Sequence, residues 1–121
     1  MARITGIGGV FFKAKDPRAL AAWYGETLGL AIESWGGAMV RNDGGPAFAV
    51  WSPFAADTGY FAPSGKPFMI NFAVDDLDGF IAQLEARGVA ILKRADEGEM
   101  GLFAWLMDPD GNKVELWQPA K

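Results

Sequence analysis

The stretch Met69-Ile-Asn-Phe-Ala-Val-Asp-Asp76-Leu-Asp-Gly-Phe80 decides the reading of this chain, because Gly9-Val-Phe-Phe-Lys-Ala-Lys-Asp16-Pro-Arg-Ala-Leu20 sets out the same pattern 60 positions earlier. In each copy an apolar, β-branched and aromatic run leads to an aspartate, and the aspartate opens a helical pattern. Leu28-Gly29 closes the first pattern and Arg87-Gly88 the second, and a new apolar run follows each. A unit of this length used only twice is too few for a solenoid and implies two halves of one small domain.

Local signals set the order of elements. Ile4 to Lys15 reads as a strand, being rich in β-branched and aromatic residues. Asp16 supplies an N-cap acceptor, and Pro17 stands at the first helical position, where a missing N–H costs nothing. Leu20, Trp23, Tyr24 and Leu28 follow at helical spacing, and Gly29 can take the left-handed conformation that ends a helix. The second copy predicts a strand over Pro67 to Val74, a cap at Asp76, and Leu77, Phe80, Ile81 and Leu84 on one helix face before Gly88. Glycine turns at Gly36-Gly37, Gly44-Gly45 and Asp108-Pro-Asp-Gly111-Asn112 separate the short strands that remain. The last of these, proline-led with glycine placed for positive φ, predicts an antiparallel hairpin. Each half therefore reads as strand, helix, then three strands, so that eight strands and two helices are expected. Module 1 covers about residues 1–56, a linker about 57–65 and module 2 about 66–121.

Composition excludes several chemistries. A chain of 121 residues, 50% hydrophobic, forms one domain with a core. It has no cysteine, hence no disulfide or thiol nucleophile, and no histidine, the commonest transition-metal ligand and neutral-pH base. A net charge of −4 gives no support to nucleic-acid binding. The start, Met1-Ala-Arg-Ile-Thr-Gly, lacks a signal peptide's apolar stretch, and no run approaches membrane-spanning length. A cytoplasmic location, with no membrane or nucleic-acid partner, is the expectation. Two motifs are set aside. Gly6-Ile-Gly8-Gly9 lies within a strand pattern with no helix opening behind it, unlike a dinucleotide loop. Asp108-x-Asp110-Gly111 has its glycine two positions too early for a calcium loop, whose twelfth position would be Pro119.

The duplicated unit, with its ending Asp108-Pro-Asp-Gly-Asn-Lys-Val-Glu115-Leu-Trp, resembles the vicinal oxygen chelate superfamily, the group of glyoxalase I, bleomycin-resistance proteins and extradiol dioxygenases. The resemblance covers essentially the whole chain. It rests also on Asp16-Pro17, on Asp76-Leu77-Asp78, and on Trp23-Tyr24 through Leu28-Gly29-Leu30. It implies an α+β fold in which two βαβββ modules form a curved, U-shaped mixed sheet around a cleft, the two main helices outside. Such a fold hosts many functions, so function must come from the site. In metal-dependent members, histidine, glutamate or glutamine on the first and last strands of each module holds the ion. The matching positions here are Gly9, Met69 and Glu115. The fourth is Ala49, if Ala47 to Pro53 is aligned with Lys113 to Pro119 at an offset of 66, or Trp51 by the family's usual spacing. One ligand of four remains. No metal or other cofactor is expected, although Asn71 could add a weak oxygen donor beside Glu115.

Residues two apart on a strand share a face. The resemblance then implies a cleft lined by Phe11 and Lys13, by Met69, Asn71 and Ala73, by Trp51, and by Lys113, Glu115 and Trp117. Alternation does not settle the facing of Trp35 and Trp105. The expected ligand-binding set is Phe11, Lys13, Trp51, Met69, Asn71, Glu115 and Trp117, apolar and aromatic with a few polar points, as small-molecule sites are. The function this favours is metal-independent binding of an aromatic metabolite, antibiotic or toxin. The alternatives are a lyase, isomerase or dioxygenase-type enzyme with Glu115 as acid or base, or one with a rearranged metal site. A homodimer is expected, since family clefts are often completed by modules from two chains.

Overall fold

In the computed structural model, which describes Arg3 and residues 7–120, the two repeated aspartates stand at helix starts. Asp16 is extended and accepts a hydrogen bond from the Ala19 N–H at 3.1 Å, with Pro17 opening α1 (Pro17–Trp23). Asp76 does the same for the Gly79 N–H at 3.1 Å, opening α2 (Leu77–Ala86). Such a side-chain oxygen satisfies one of the N–H groups a helix start leaves unpaired. The first helix loosens into a π turn over Tyr24–Leu28, and Gly29 closes it at φ 80°, its N–H donating to the Tyr24 carbonyl.

The second copy then builds a mixed open sheet. It consists of β1 (Ile70–Ala73), β2 (Lys93–Asp96), β3 (Leu102–Met107) and β4 (Lys113–Gln118), with a 3₁₀ turn over Gly98–Met100 between β2 and β3. The strand order is β1-β4-β3-β2. β1 runs parallel to β4, and the other two pairings are antiparallel. A parallel pair needs a crossover, and α2 lies within it. The hairpin foreseen at Asp108–Asn112 joins β3 to β4. Gly111 takes φ 81°, and the Asp108 N–H donates to the Asn112 carbonyl at 2.8 Å.

One face of this sheet is covered by both helices. Leu20 and Tyr24 from the first helical segment pack with Leu77, Ile81 and Leu84 of α2 against Ala104 and Leu106 of β3 and Val114 and Leu116 of β4. Full burial of each aliphatic side chain contributes about 1.5–3 kcal/mol before entropy is counted. The hairpin is tied into this core by Asp108. Its Oδ2 accepts from Tyr24 Oη at 2.7 Å and Asn112 Nδ2 at 2.6 Å, while Oδ1 accepts from the Asp110 and Asn112 N–H groups. A buried carboxylate with four donors is well satisfied.

The first half departs from expectation. Residues 7–14 form no strand, and residues 4–6 of the expected strand lie outside the described residues. Turns do form where glycines predicted them: the Glu33 N–H donates to the Gly37 carbonyl at 2.7 Å, and Gly45 N–H to Asn42 at 3.2 Å. Yet an Ile32–Ala38 bridge is the first half's sole ladder contact among the described residues. Among the described residues, four strands stand where eight were expected over the whole chain. The cause is physical: a turn or capped helix is satisfied within its own few residues, whereas an extended segment needs a neighbour for its backbone groups. Among the described residues, no helix is long and apolar enough to cross a membrane.

Candidate functional site

Strand register places the chemistry on the sheet face away from the helices. The turn centred on Asp110 sets Trp105 opposite Glu115 and Phe103 opposite Trp117. Asn71 of β1 lies opposite Glu115 on its other side, and Lys93 of β2 lies opposite Trp105. Since side chains alternate, Asn71, Ala73, Phe103, Trp105, Lys113, Glu115 and Trp117 share one face, while Leu106, Val114 and Leu116 point into the core.

Glu115 is the polar centre of that face and is 8% exposed. Its Oε1 accepts from Trp105 Nε1 at 2.8 Å and from Tyr60 Oη at 2.6 Å, and its Oε2 accepts from Asn71 Nδ2 at 2.6 Å. Three of a carboxylate's roughly four acceptor directions are thereby used. Around it runs an aromatic platform: Phe103 and Trp105 lie 6.0 Å apart and Phe103 and Trp117 6.3 Å apart, with planes within 13°. Trp117 Nε1 donates to the Met100 carbonyl at 2.7 Å, which fixes its ring.

Tyr60 reaches this face from the segment joining the halves. Its ring meets Trp105 edge-on at 6.2 Å, and Phe54 stacks against it at 5.3 Å. Lys113 Nζ donates to the Tyr60 carbonyl at 2.7 Å and sits over the rings of Tyr60 and Trp105 at 5.4 and 5.7 Å. Ser64 Oγ, four residues on, donates to the Gly111 carbonyl and holds the segment to the hairpin. Burial pushes the Tyr60 phenol well above its ordinary pKa, and its bond to Glu115 adds to this. Desolvation lowers the Lys113 pKa, with Lys93 adding to the fall and Glu115 opposing it. A small cavity of about 140 Å³ opens beside Tyr60, bounded by Glu97, Met100, Phe103 and Trp105.

Of the residues expected from sequence, Asn71, Glu115 and Trp117 come together here, and Met69 is half-buried immediately before β1. Phe11, Lys13 and Trp51 do not join them in the single chain: Phe11 is 95% and Trp51 78% exposed, and Lys13 is exposed in the unpaired stretch. Trp35 is also largely exposed, whereas Trp105, whose facing alternation could not settle, lies on the face. Phe103 and Tyr60 were missed. The hairpin turn held the signal for the first, because a turn at Asp108–Asn112 already pairs Trp105 with Glu115 and puts Phe103 two residues along. Nothing local announces Tyr60.

The residues do not fit a transition-metal centre. Gly9 and either Ala49 or Trp51 bring no metal-binding side chain, Met69 offers only a soft thioether mismatched to a carboxylate oxygen, and Glu115 is engaged by three hydrogen-bond donors. Among the described residues no three histidine, cysteine, aspartate or glutamate side chains gather closely enough to hold an ion.

A family model described as a glyoxalase-like domain matches residues 9–117. A lactoylglutathione lyase of Schizosaccharomyces pombe is 38% identical over 47 residues, 39% of this chain but only 16% of that protein's length. Among solved structures, TnmS3, an antibiotic-binding protein from Streptomyces sp. CB03234, superposes with a TM-score of 0.63 at 21% identity, covering 99% of this chain and all of that one. A lactoylglutathione lyase from Agrobacterium tumefaciens gives 0.57 at 18% identity over 87% of each chain. A glyoxalase/bleomycin resistance protein from Streptomyces sp. CB03234 gives 0.52 at 22% identity, over 87% of this chain and 93% of that one. At these identities the structural likenesses establish the fold.

Proposed function

This chain belongs to the glyoxalase-like domain family, within the vicinal oxygen chelate superfamily, and from that premise we propose that it binds an aromatic small molecule without a metal. The observation that carries the reading is the face built by Phe103, Trp105 and Trp117 around Glu115: a π platform with one internally bonded carboxylate. Flat aromatic surfaces with few polar points suit metabolites, antibiotics or toxins of similar character. The likeness to an antibiotic-binding protein supports the same direction. A carboxylate already holding three donors, with no histidine or cysteine in the chain, is better suited to orient a ligand than to shuttle protons.

Met69, Asn71, Glu115 and Trp117 are the ligand-contacting residues in this reading, joined by Phe103 and Trp105. Phe11, Lys13 and Trp51 reach a ligand through a homodimer, in which a second copy covers the first half. Its support is the run of exposed apolar side chains there: Val10, Phe11, Met39, Val40, Phe48, Val50 and Trp51 are all more than half exposed. Apolar surface on that scale marks an interaction site.

Chelator-treated protein titrated with a panel of aromatic antibiotics and metabolites, followed by calorimetry and tryptophan fluorescence, tests the reading. Saturable binding unchanged by added divalent ions, with no product by chromatography, is the expected result. Stoichiometric bound metal whose removal abolishes binding, or steady turnover, overturns it. Light scattering that finds a 13.0 kDa species at working concentration removes the dimer.

A further inference from the structure

Tyr60 occupies the face that the proposed ligand needs, and how it does so indicates the ligand's chemistry. The cavity beside it, about 140 Å³, is smaller than the roughly 300–1,000 Å³ of small-molecule sites. A bicyclic or larger ring entering there reaches Glu115 only where the Tyr60 ring withdraws. The ring lies at the surface, stacked on Phe54 and under Lys113 Nζ. It is 40% exposed, and its own turn is closed locally by Tyr60 N–H to Thr58 Oγ1 and Ala62 N–H to the Gly59 carbonyl. Lys113 and Ser64 tether its segment through backbone carbonyls, whereas the ring itself meets the face through its hydroxyl bond to Glu115 at 2.6 Å and its edge contact with Trp105.

Withdrawal of Tyr60 changes what Glu115 requires. Oε1 keeps Trp105 Nε1 at 2.8 Å but loses its phenolic donor, and the group is only 8% exposed. An incoming ring without a donor leaves a nearly buried carboxylate one hydrogen bond short, and one presenting an acceptor or anion there meets repulsion. A ring hydroxyl restores the bond. The ring itself would lie under Lys113 Nζ, now 5.4 Å from the Tyr60 centroid, where an electron-rich ring is favoured.

Resting on the small-molecule reading above, we propose that the ligand is a hydroxyaryl compound whose phenolic hydroxyl replaces the chain's own Tyr60 hydroxyl on Glu115. Tyr60 is then a built-in competitor. It keeps the carboxylate satisfied in the free protein and sets a threshold that apolar aromatics do not pass. Sites built around a hydroxyl discriminate strongly against analogues that lack it, for the same reason.

The probes are 2-naphthol and 2-methoxynaphthalene, which share a ring system and differ in the donor. Each is titrated by calorimetry at neutral pH into the wild type, Tyr60→Phe and Tyr60→Ala. Tyr60→Ala is expected to bind 2-naphthol about tenfold more tightly than the wild type and about tenfold more tightly than it binds 2-methoxynaphthalene. Tyr60→Phe, which keeps the ring but not the tether, should fall between. Equal binding of both probes by Tyr60→Ala, or no gain over the wild type, overturns the hydroxyl inference and leaves the aromatic site standing. Failure of both probes to bind any of the three proteins overturns the inference and the aromatic-site reading together.

Discussion

The two halves of this chain begin from the same sequence pattern and end in different states. Over residues 66–118 the pattern becomes β1, α2 and three further strands in one sheet, with Leu84, Leu106 and Val114 fully excluded from solvent. Over residues 7–56 the capped helix and the glycine turns form, but the strands do not pair, and Phe11, Trp51 and Val40 stand in solvent. A shared local pattern thus yields a helix in both halves and a sheet in one. Helical hydrogen bonds close over four residues, whereas a strand's partners come from elsewhere in the chain. The second half carries its own partners in the Asp108–Asn112 hairpin and the α2 crossover. In the first, the helical segment is docked through Leu20 and Tyr24, with Ala14 and Leu30 beside it, and Phe12 and Phe48 reach Phe68 and Trp117 singly.

The halves differ most in their cores. Leu116→Ala should lower unfolding free energy by about 2–5 kcal/mol, because Leu116 is 1% exposed and its removal leaves a cavity. Phe11→Ala, at 95% exposed, should change the stability of an isolated chain by less than about 0.5 kcal/mol. Denaturant titrations of the two variants measure the gap. If Phe11→Ala also dissociates a dimer in light scattering, the first half finds its partner in a second copy. Equal costs for the two substitutions would show that the halves are equally packed.

Tyr24 and Asp108 link the two halves. Tyr24→Phe removes the hydroxyl that donates to Asp108 Oδ2, which keeps Asn112 as its remaining side-chain donor. A loss of about 1–2 kcal/mol is expected, read as a shift in the denaturation midpoint. A value near zero would mean that α1 is held by apolar contact alone. The twin caps follow: Asp76→Ala and Asp16→Ala should each cost about 1 kcal/mol. A much smaller cost for Asp16→Ala would show that α1 frays independently of the sheet.

The smallest effect is set by pH. Burial, and then the hydrogen bond to Asp108 or Glu115, raises the pKa of both Tyr24 and Tyr60 above the ordinary 10.0. The folded state therefore holds these protons where the unfolded chain releases them. Their stabilisation is complete below pH 10.0 and declines as pH rises above it. Lys113 acts in the opposite sense, since its lowered pKa makes the folded form shed a proton first and so adds stability as pH approaches the ordinary 10.5. Denaturation midpoints measured from pH 8 upward should fall beyond pH 10, and fall less steeply in Tyr24→Phe. An upward slope there would reverse the assignment of the dominant groups.

Legibility in the sequence follows the same line. Asp16, Asp76, Gly29, Gly88 and the Asp108–Asn112 hairpin could be read directly, because each acts within a handful of residues. The α+β class, the helix–sheet layering of the second half and the shared face of Asn71, Glu115 and Trp117 followed from alternation and turn position. Trp105 was within reach of the same rule once the hairpin register was carried back along β3. The strand expected over Ile4 to Lys15 is unpaired over residues 7–14, because an apolar β-branched run states a preference and its partner decides the outcome.

By itself, then, the sequence determined the elements that satisfy their own backbone: two capped helices, the glycine turns and a hairpin. Only the tertiary structure decided which strands pair. It also decided that Tyr60, 55 positions from Glu115, closes over that carboxylate and over Trp105. The reason is range. Caps and turns act within a few residues, whereas a buried carboxylate's donors are set by whatever the folded chain brings near it.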